Sequence, residues 1–86
     1  MPMGFTTQHI EKRICQILHY RFEAPPEALV PDANLRDHIG LDSLDLIELV
    51  MALEEAYDVT ISDEEVENLS TICDVTALVA RKIQQR

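Results

Sequence analysis

The sequence is poor in the residues and segments that characterise several classes of protein. It has no run of 18 apolar residues, so no membrane-spanning helix is predicted, and residues 1–5 do not resemble a secretory signal. Its two cysteines, Cys15 and Cys73, are too few for a disulfide scaffold. We expect both to be small, half-buried thiols of a cytoplasmic protein, with a bridge between them as the minor alternative.

Positive charge is missing from the middle of the chain. No lysine or arginine occurs between Asp37 and Ala80, where twelve of the sixteen acidic residues lie. Phosphates would be repelled by this surface, which argues against nucleic acid as a partner. It favours proteins with basic patches, which a net charge of −9 would attract. The alternative is an acidic surface that only maintains solubility.

The length and the pattern of apolar residues predict one all-α domain, a small four-helix bundle with three longer helices and one short one. Residues 1–5 are expected to form a flexible tail of this 1–86 domain. The first helix begins after Thr6 or Thr7 and ends near Phe22. The others are predicted at about 43–57, from a Ser62 cap to about 68, and from a Ser70 or Thr71 cap to about 84.

A long connection separates the first two helices. Pro25 and Pro26 end the first helix because proline cannot continue it. A connection of this length in a compact domain must be held in place or serve a function. We expect burial of four apolar side chains to hold it: Leu29, Val30, Leu35 and Ile39.

The most informative stretch runs from Gly40 to Tyr57. Gly40 suits a turn with an unusual backbone angle, and Asp42 with Asp45 resembles a capping box. A helix from Ser43 would place the Ser43 hydroxyl in its first turn, near unpaired N–H groups and the positive end of the helix dipole. A phosphate ester on Ser43 would be well placed there, although the two aspartates oppose it.

The apolar residues of this helix fall on two faces. One stripe predicts a core face and comprises Leu46, Leu49, Val50, Leu53 and Tyr57. The other lies beside Ser43, is flanked by Glu48 and Glu55, and comprises Leu44, Ile47 and Met51. Exposed, it would be a docking surface. The alternative is a crowded bundle that buries both stripes.

Catalytic and metal-binding interpretations find little support in the sequence. Ser43 as a nucleophile would need a base and an oxyanion site, and His38 is the nearest candidate. The chain has no Gly-x-Ser-x-Gly elbow. The acids near 58–62 lack the spacing of a calcium loop, and no His/Cys metal constellation occurs. We therefore predict neither an enzyme nor a metal site.

The residues Asp42-Ser43-Leu44, the acidic amphipathic helix that follows and the second cap at Ile61-Ser62-Asp63-Glu64-Glu65 resemble the acyl carrier proteins of fatty-acid and polyketide synthesis. The similarity is strong over about 35–80. It implies that a phosphopantetheinyl transferase attaches 4'-phosphopantetheine from coenzyme A to Ser43, between Asp42 and Leu44. The arm would hold acyl chains as thioesters, and the protein, expected to be a monomer, would present them to biosynthetic enzymes.

The resemblance also implies two further sets of site residues. Docking on basic patches of partner enzymes would use Leu44, Asp45, Ile47, Glu48, Met51, Glu54 and Glu55. An acyl pocket between the helices would be lined by Leu46, Leu49, Leu53, Ile61, Val66 and Leu69. Leu46 departs from the family, which often has a smaller or polar residue there, and this departure could narrow the pocket entrance.

Two alternatives to a fatty-acid carrier remain at this stage. One is a carrier of a polyketide or another specialised pathway. The other is an acidic helical module that binds proteins with Ser43 unmodified. The intact mass after treatment with coenzyme A and a transferase distinguishes a carrier from such a module.

Overall fold

The computed structural model describes residues 7–85, and in this range the chain is built from four α-helices. They are α1 (Thr7–Phe22), α2 (Ser43–Tyr57), α3 (Asp63–Glu67) and α4 (Ile72–Gln85), with one 3-10 turn at Pro26–Ala28. The predicted all-α bundle of three longer helices and a short one is confirmed. The 3-10 turn was not predicted. The proposed tail at 1–5 and Thr6 lie outside the described residues.

The core lies where α1, α2 and α4 meet. Helix α1 packs against α4 and α2, while α2 also contacts α3 and α4. Ile14 and Leu18 of α1, Leu49 and Leu53 of α2, and Val79 of α4 are fully buried. These residues recur at three- and four-residue intervals, which places them on the inner face of each helix.

The long connection between α1 and α2 is held in place by backbone hydrogen bonds to the start of α4 and by burial of apolar side chains. Leu35 N–H donates to Ser70 O at 2.8 Å, and Cys73 N–H donates to Pro31 O at 2.8 Å. Three of the four predicted side chains pack in or against the core, since Leu35 is fully buried and Leu29 and Ile39 are half-buried; Val30 is exposed. The prediction for Val30 was therefore wrong.

The short helix α3 is tied to its neighbours at both ends. Its predicted capping box is present: Glu65 N–H donates to Ser62 Oγ at 3.2 Å, and Ser62 N–H donates to Glu65 Oε1 at 2.9 Å. Lys82 of α4 approaches the same Oε1 at 2.9 Å. On the other side, Ile61 N–H donates to Glu54 Oε2 of α2 at 2.9 Å. Five helical residues alone would be unstable in water, so these bonds fix the position of α3.

We expect the Glu65 carboxylate to titrate at unusually low pH. Its hydrogen bond with Lys82, followed by those with Ser62, lowers its pKa from 4.5 to about 2. Because the folded pKa is depressed, the stabilising contribution is complete above pH 4.5 and is lost as the pH falls towards 2. In a Lys82→Gln variant the pKa of Glu65, measured by carboxyl-carbon NMR, should move back towards 4.5. An unchanged pKa in this variant would show that the Ser62 hydrogen bonds alone cause the shift.

The two cysteines are free thiols in the structure, with Cys15 half-buried and Cys73 exposed. The expectation that Cys73 is half-buried was wrong, because it lies on the outer side of the first turn of α4. Burial, with a smaller effect of Glu11, raises the pKa of the Cys15 thiol. Within residues 7–85, no helix is long and apolar enough to cross a membrane.

Candidate functional site

The turn before α2 places the first residue of the helix at the protein surface. Gly40 has a φ of +88°, a left-handed conformation that residues with a side chain rarely adopt. The buried Leu41 donates its N–H to Leu35 O at 2.9 Å, which closes the turn on itself. The chain is therefore anchored two residues before Ser43.

A reciprocal capping box starts α2, as the sequence predicts. Asp45 N–H donates to Asp42 Oδ1 at 2.8 Å, and Asp42 N–H donates to Asp45 Oδ2 at 3.1 Å. Ser43 is the first helical residue and is exposed. Its hydroxyl forms no hydrogen bond with the rest of the described chain, so it is available for reaction.

The second apolar stripe of α2 is exposed, which rules out the alternative of a fully buried helix. Leu44 is 70% exposed, Ile47 50% and Met51 60%. We call these three residues the apolar strip. They begin directly beside Ser43 and follow α2 for two turns, whereas Leu46 and Leu49 on the other stripe are buried.

The acidic residues around the apolar strip are not equivalent. Glu48 and Glu55 are exposed, so their charges can reach a partner. Asp45 is half-buried, and one of its oxygens accepts the hydrogen bond of the capping box. Glu54 is half-buried and accepts the hydrogen bond from Ile61, so it stabilises the connection to α3. Among the predicted docking acids, Glu48 and Glu55 are therefore the best placed for contact with another protein.

A groove of about 510 Å³ lies between α2 and α3 and includes Ser43 in its wall. Its other lining residues are Arg36, Leu46, Ile47, Val50, Met51, Glu54, Ile61, Asp63, Val66 and Glu67. Apolar side chains of α2 and α3 thus face each other next to the free hydroxyl. An alkyl chain tethered at Ser43 could enter this groove and bury its surface there.

The groove contains only half of the predicted acyl-pocket residues. Leu46, Ile61 and Val66 line it, but Leu49 and Leu53 are fully buried in the core. Leu69 faces a different depression, between α3 and α4. The sequence pattern identified the apolar residues of α2 but could not separate those at the groove from those turned towards α1 and α4.

Four groove residues were not among the predicted site residues: Arg36, Val50, Asp63 and Glu67. Val50 was assigned to the core stripe, and it is indeed only 5% exposed, but its exposed part lines the groove. Arg36 comes from the connection before α2, and the predicted turn there gave no indication that its side chain would line the same groove as Ser43. Helical spacing cannot detect a residue that reaches a site from a loop.

The described residues show no arrangement for nucleophilic catalysis at Ser43. His38 Nδ1 accepts a hydrogen bond from Asn34 N–H at 2.7 Å within its own turn, and no hydrogen bond joins it to Ser43. A nucleophilic serine needs a base within hydrogen-bonding reach. Over residues 7–85, no group of three His, Cys, Asp or Glu side chains is placed to hold a metal ion.

Comparison with known proteins identifies the family. Residues 8–79 match the family described as "Phosphopantetheine attachment site". An acyl carrier protein from Syntrophobacter fumaroxidans is 42% identical over 72 residues, which are 84% of this chain and 89% of that protein. One from Buchnera aphidicola is 45% identical over 65 residues, 76% of this chain and 81% of that protein. The chain belongs to the acyl carrier protein family.

The bundle also matches a solved acyl carrier protein. The crystal structure of one from Thermotoga maritima superposes with a TM-score of 0.84 over 98% of both chains, at 21% identity. At this identity the likeness establishes the fold.

Membership of the acyl carrier protein family confirms three predictions. The protein is a carrier and not a catalyst, and its prosthetic group is 4'-phosphopantetheine. It interacts with acyl chains and with the enzymes that synthesise them.

Proposed function

We propose that this acyl carrier protein bears its 4'-phosphopantetheine on Ser43 and presents fatty-acyl or related intermediates to biosynthetic enzymes. The observation that carries the proposal is the exposed Ser43 hydroxyl, which has no hydrogen-bond partner among residues 7–85 and opens onto the groove between α2 and α3. When bound, the group supplies a thiol that holds the acyl chain as a thioester.

The chain's own residues have three tasks in this function. The capping box fixes the backbone at Ser43, so a phosphopantetheinyl transferase meets the hydroxyl in one position. Leu46, Val50 and Ile61 offer an apolar wall that keeps part of an acyl chain away from water. The apolar strip and its acidic border provide the surface that partner enzymes with basic patches recognise.

Intact mass spectrometry tests the attachment directly. The protein is incubated with coenzyme A and a promiscuous phosphopantetheinyl transferase, with a sample lacking the transferase as control. We expect the mass of one arm to be added, and fragmentation should assign it to the peptide that contains Ser43. An unchanged mass, or an arm on another serine, would contradict the proposal.

Docking on α2 predicts that Glu48→Lys weakens the encounter with a transferase. The substitution reverses an exposed charge beside Ile47 and Met51 without removing any hydrogen bond of the described chain. Interface residues that matter cost more than about 1 kcal/mol on substitution, so kcat/KM should fall on the order of fivefold to tenfold at low salt. The measurement is the initial rate of arm transfer at several carrier concentrations.

Glu27→Lys is the matched control for this docking prediction. Glu27 is exposed in the 3-10 turn, and its reversal changes the net charge by the same amount without altering α2. Equal decreases of kcat/KM in the two variants would mean that net charge, and not a local docking surface, governs the encounter with the transferase. Circular dichroism should show the same helix content in both.

The pathway and the partner enzymes beyond the transferase belong to this proposal as well. Fatty-acid synthesis is the first candidate, and a specialised pathway is the second. Leu46 is 3% exposed and lines the groove, so its bulk limits which chains fit beside it. Mass spectrometry of the natively loaded protein identifies the acyl group and thereby separates the two pathways.

A further inference from the structure

One arginine stands out in the groove. Of the residues that line it, Arg36 is the only one with a positive charge, and it shares the groove wall with Ser43. Its side chain is exposed, and within residues 7–85 its guanidinium forms no ion pair with any carboxylate. Three acidic residues line the same groove, but none of them forms an ion pair with Arg36: Glu54, Asp63 and Glu67. A guanidinium that has no ion pair and lines the same groove as the reactive hydroxyl can bind an anion.

The backbone at Arg36 is held in place by several hydrogen bonds. Asn34 Oδ1 accepts from the N–H groups of Arg36 and Asp37, each at 2.9 Å. Leu35 on one side is tied to Ser70 O at 2.8 Å and also accepts from Leu41 N–H at 2.9 Å. The second bond brings the residues around 36 next to the end of the turn that leads into Ser43. The backbone position of Arg36 in the groove wall is therefore set by the fold.

The electrostatic surroundings of Ser43 would otherwise oppose a phosphate. Asp42 and Asp45 lie on either side of it in the sequence, and the capping box uses only one oxygen of each carboxyl group. The first N–H groups of α2 and its helix dipole also attract an anion, but together they act as only part of a unit positive charge. A single guanidinium offsets one carboxylate and offers two parallel N–H donors to phosphate oxygens.

We propose that Arg36 binds the phosphodiester of the phosphopantetheine arm on Ser43 and thereby orients the arm towards the groove. The inference rests on the proposed function, because it requires the arm on Ser43. Arg36 is a positioning residue. It takes no part in bond formation, and it raises the population of arm conformations that point towards the groove. Since the arm is tethered, a weak contact is enough to bias its direction.

The expected effect is modest and depends on salt. An exposed pair of this kind shifts a population by roughly twofold to fivefold. Screening should weaken the bias as the ionic strength rises, because the Debye length falls from about 30 Å at 0.01 M to about 3 Å at 1 M salt. Lysine at position 36 should retain part of the bias, since it keeps the charge but loses the two-donor geometry.

NMR of the holo protein tests the inference without any activity measurement. In wild-type protein, the Arg36 Nε–Hε resonance should shift when the arm is attached, and the shift should decrease at high salt. The ³¹P resonance of the arm should differ between the wild type and Arg36→Gln, with Arg36→Lys intermediate. Arg21→Gln is the matched control, because Arg21 is an exposed cation on α1 outside this groove.

The outcomes separate this inference from the proposed function. If the arm attaches to Ser43 but the Arg36 resonance does not move and all variants share one ³¹P resonance, the Arg36 contact is refuted and the carrier function stands. If no arm attaches to Ser43, both are refuted. Equal ³¹P changes in Arg36→Gln and Arg21→Gln would indicate a general charge effect and would also overturn the contact. Circular dichroism confirms that each variant is folded.

Discussion

Replacing Ser43 by alanine is expected to abolish attachment of phosphopantetheine while leaving the fold intact. The hydroxyl is the group that would be esterified, and no neighbouring residue in the first turn of α2 offers another. Its removal should cost little stability, since the cap of α2 is formed by Asp42 and Asp45 and alanine is the best helix former. We expect no added mass after treatment with coenzyme A and transferase, and a change in unfolding free energy within about 0.5 kcal/mol.

Ser62→Ala provides the opposite combination of effects. Ser62 caps α3, so its loss should destabilise the protein by about 1 kcal/mol. Because Ser62 lies at the start of a different helix, its substitution should not reduce the fraction of protein that gains the arm. If Ser43→Ala still gained the arm, or if Ser62→Ala lost it, Ser43 would not be the attachment residue.

Leu53→Ala should be the most damaging substitution for stability. Leu53 is fully buried where α2 meets the other helices. Truncating such a leucine removes apolar contacts and leaves a cavity, which costs about 2–5 kcal/mol. Small domains have only about 0.05–0.15 kcal/mol of stability per residue, so this is a large part of the total. Urea unfolding followed by circular dichroism gives the difference.

Leu44→Ala is the control, with the same chemical change on the exposed face of α2. Because Leu44 is 70% exposed, its truncation should alter the unfolding free energy by less than about 0.5 kcal/mol. The pair also tests the assignment of Leu53 to the core and not to the acyl groove. A small loss of stability in Leu53→Ala, together with altered acyl binding, would show that Leu53 belongs to the acyl groove and not to the core.

The predictions from sequence succeeded where the determinants are local. The bounds of α2, both capping boxes and the positive φ of Gly40 depend on residues within four positions of each other. Helical spacing placed Met51 on a second face of α2, and the structure showed that this face is exposed and not buried in a crowded bundle. The site built on these features was accordingly visible in the sequence as an accessible Ser43 beside an apolar strip.

The errors arose where contacts join distant parts of the chain. Val30 and Cys73 were expected to be half-buried or buried, but the connection before α2 is held by backbone bonds to the start of α4, so their side chains remain outside. Glu54 was assigned to docking alone because its bond to Ile61 joins residues seven positions apart. Backbone donors and acceptors are the same at every residue, so their pairing leaves no pattern in the sequence.

The sequence by itself determined an acidic helical bundle with a serine at the start of its second helix, and its resemblance to acyl carrier proteins indicated the carrier function. Caps and helical periodicity are short-range properties, and they need no knowledge of the neighbouring helices. Only the tertiary structure decided which leucines of α2 face the groove and that Arg36 lines the same groove as Ser43. Both facts depend on how α3 and the long connection pack against α2, and that packing is set by many weak contacts between residues far apart in the chain.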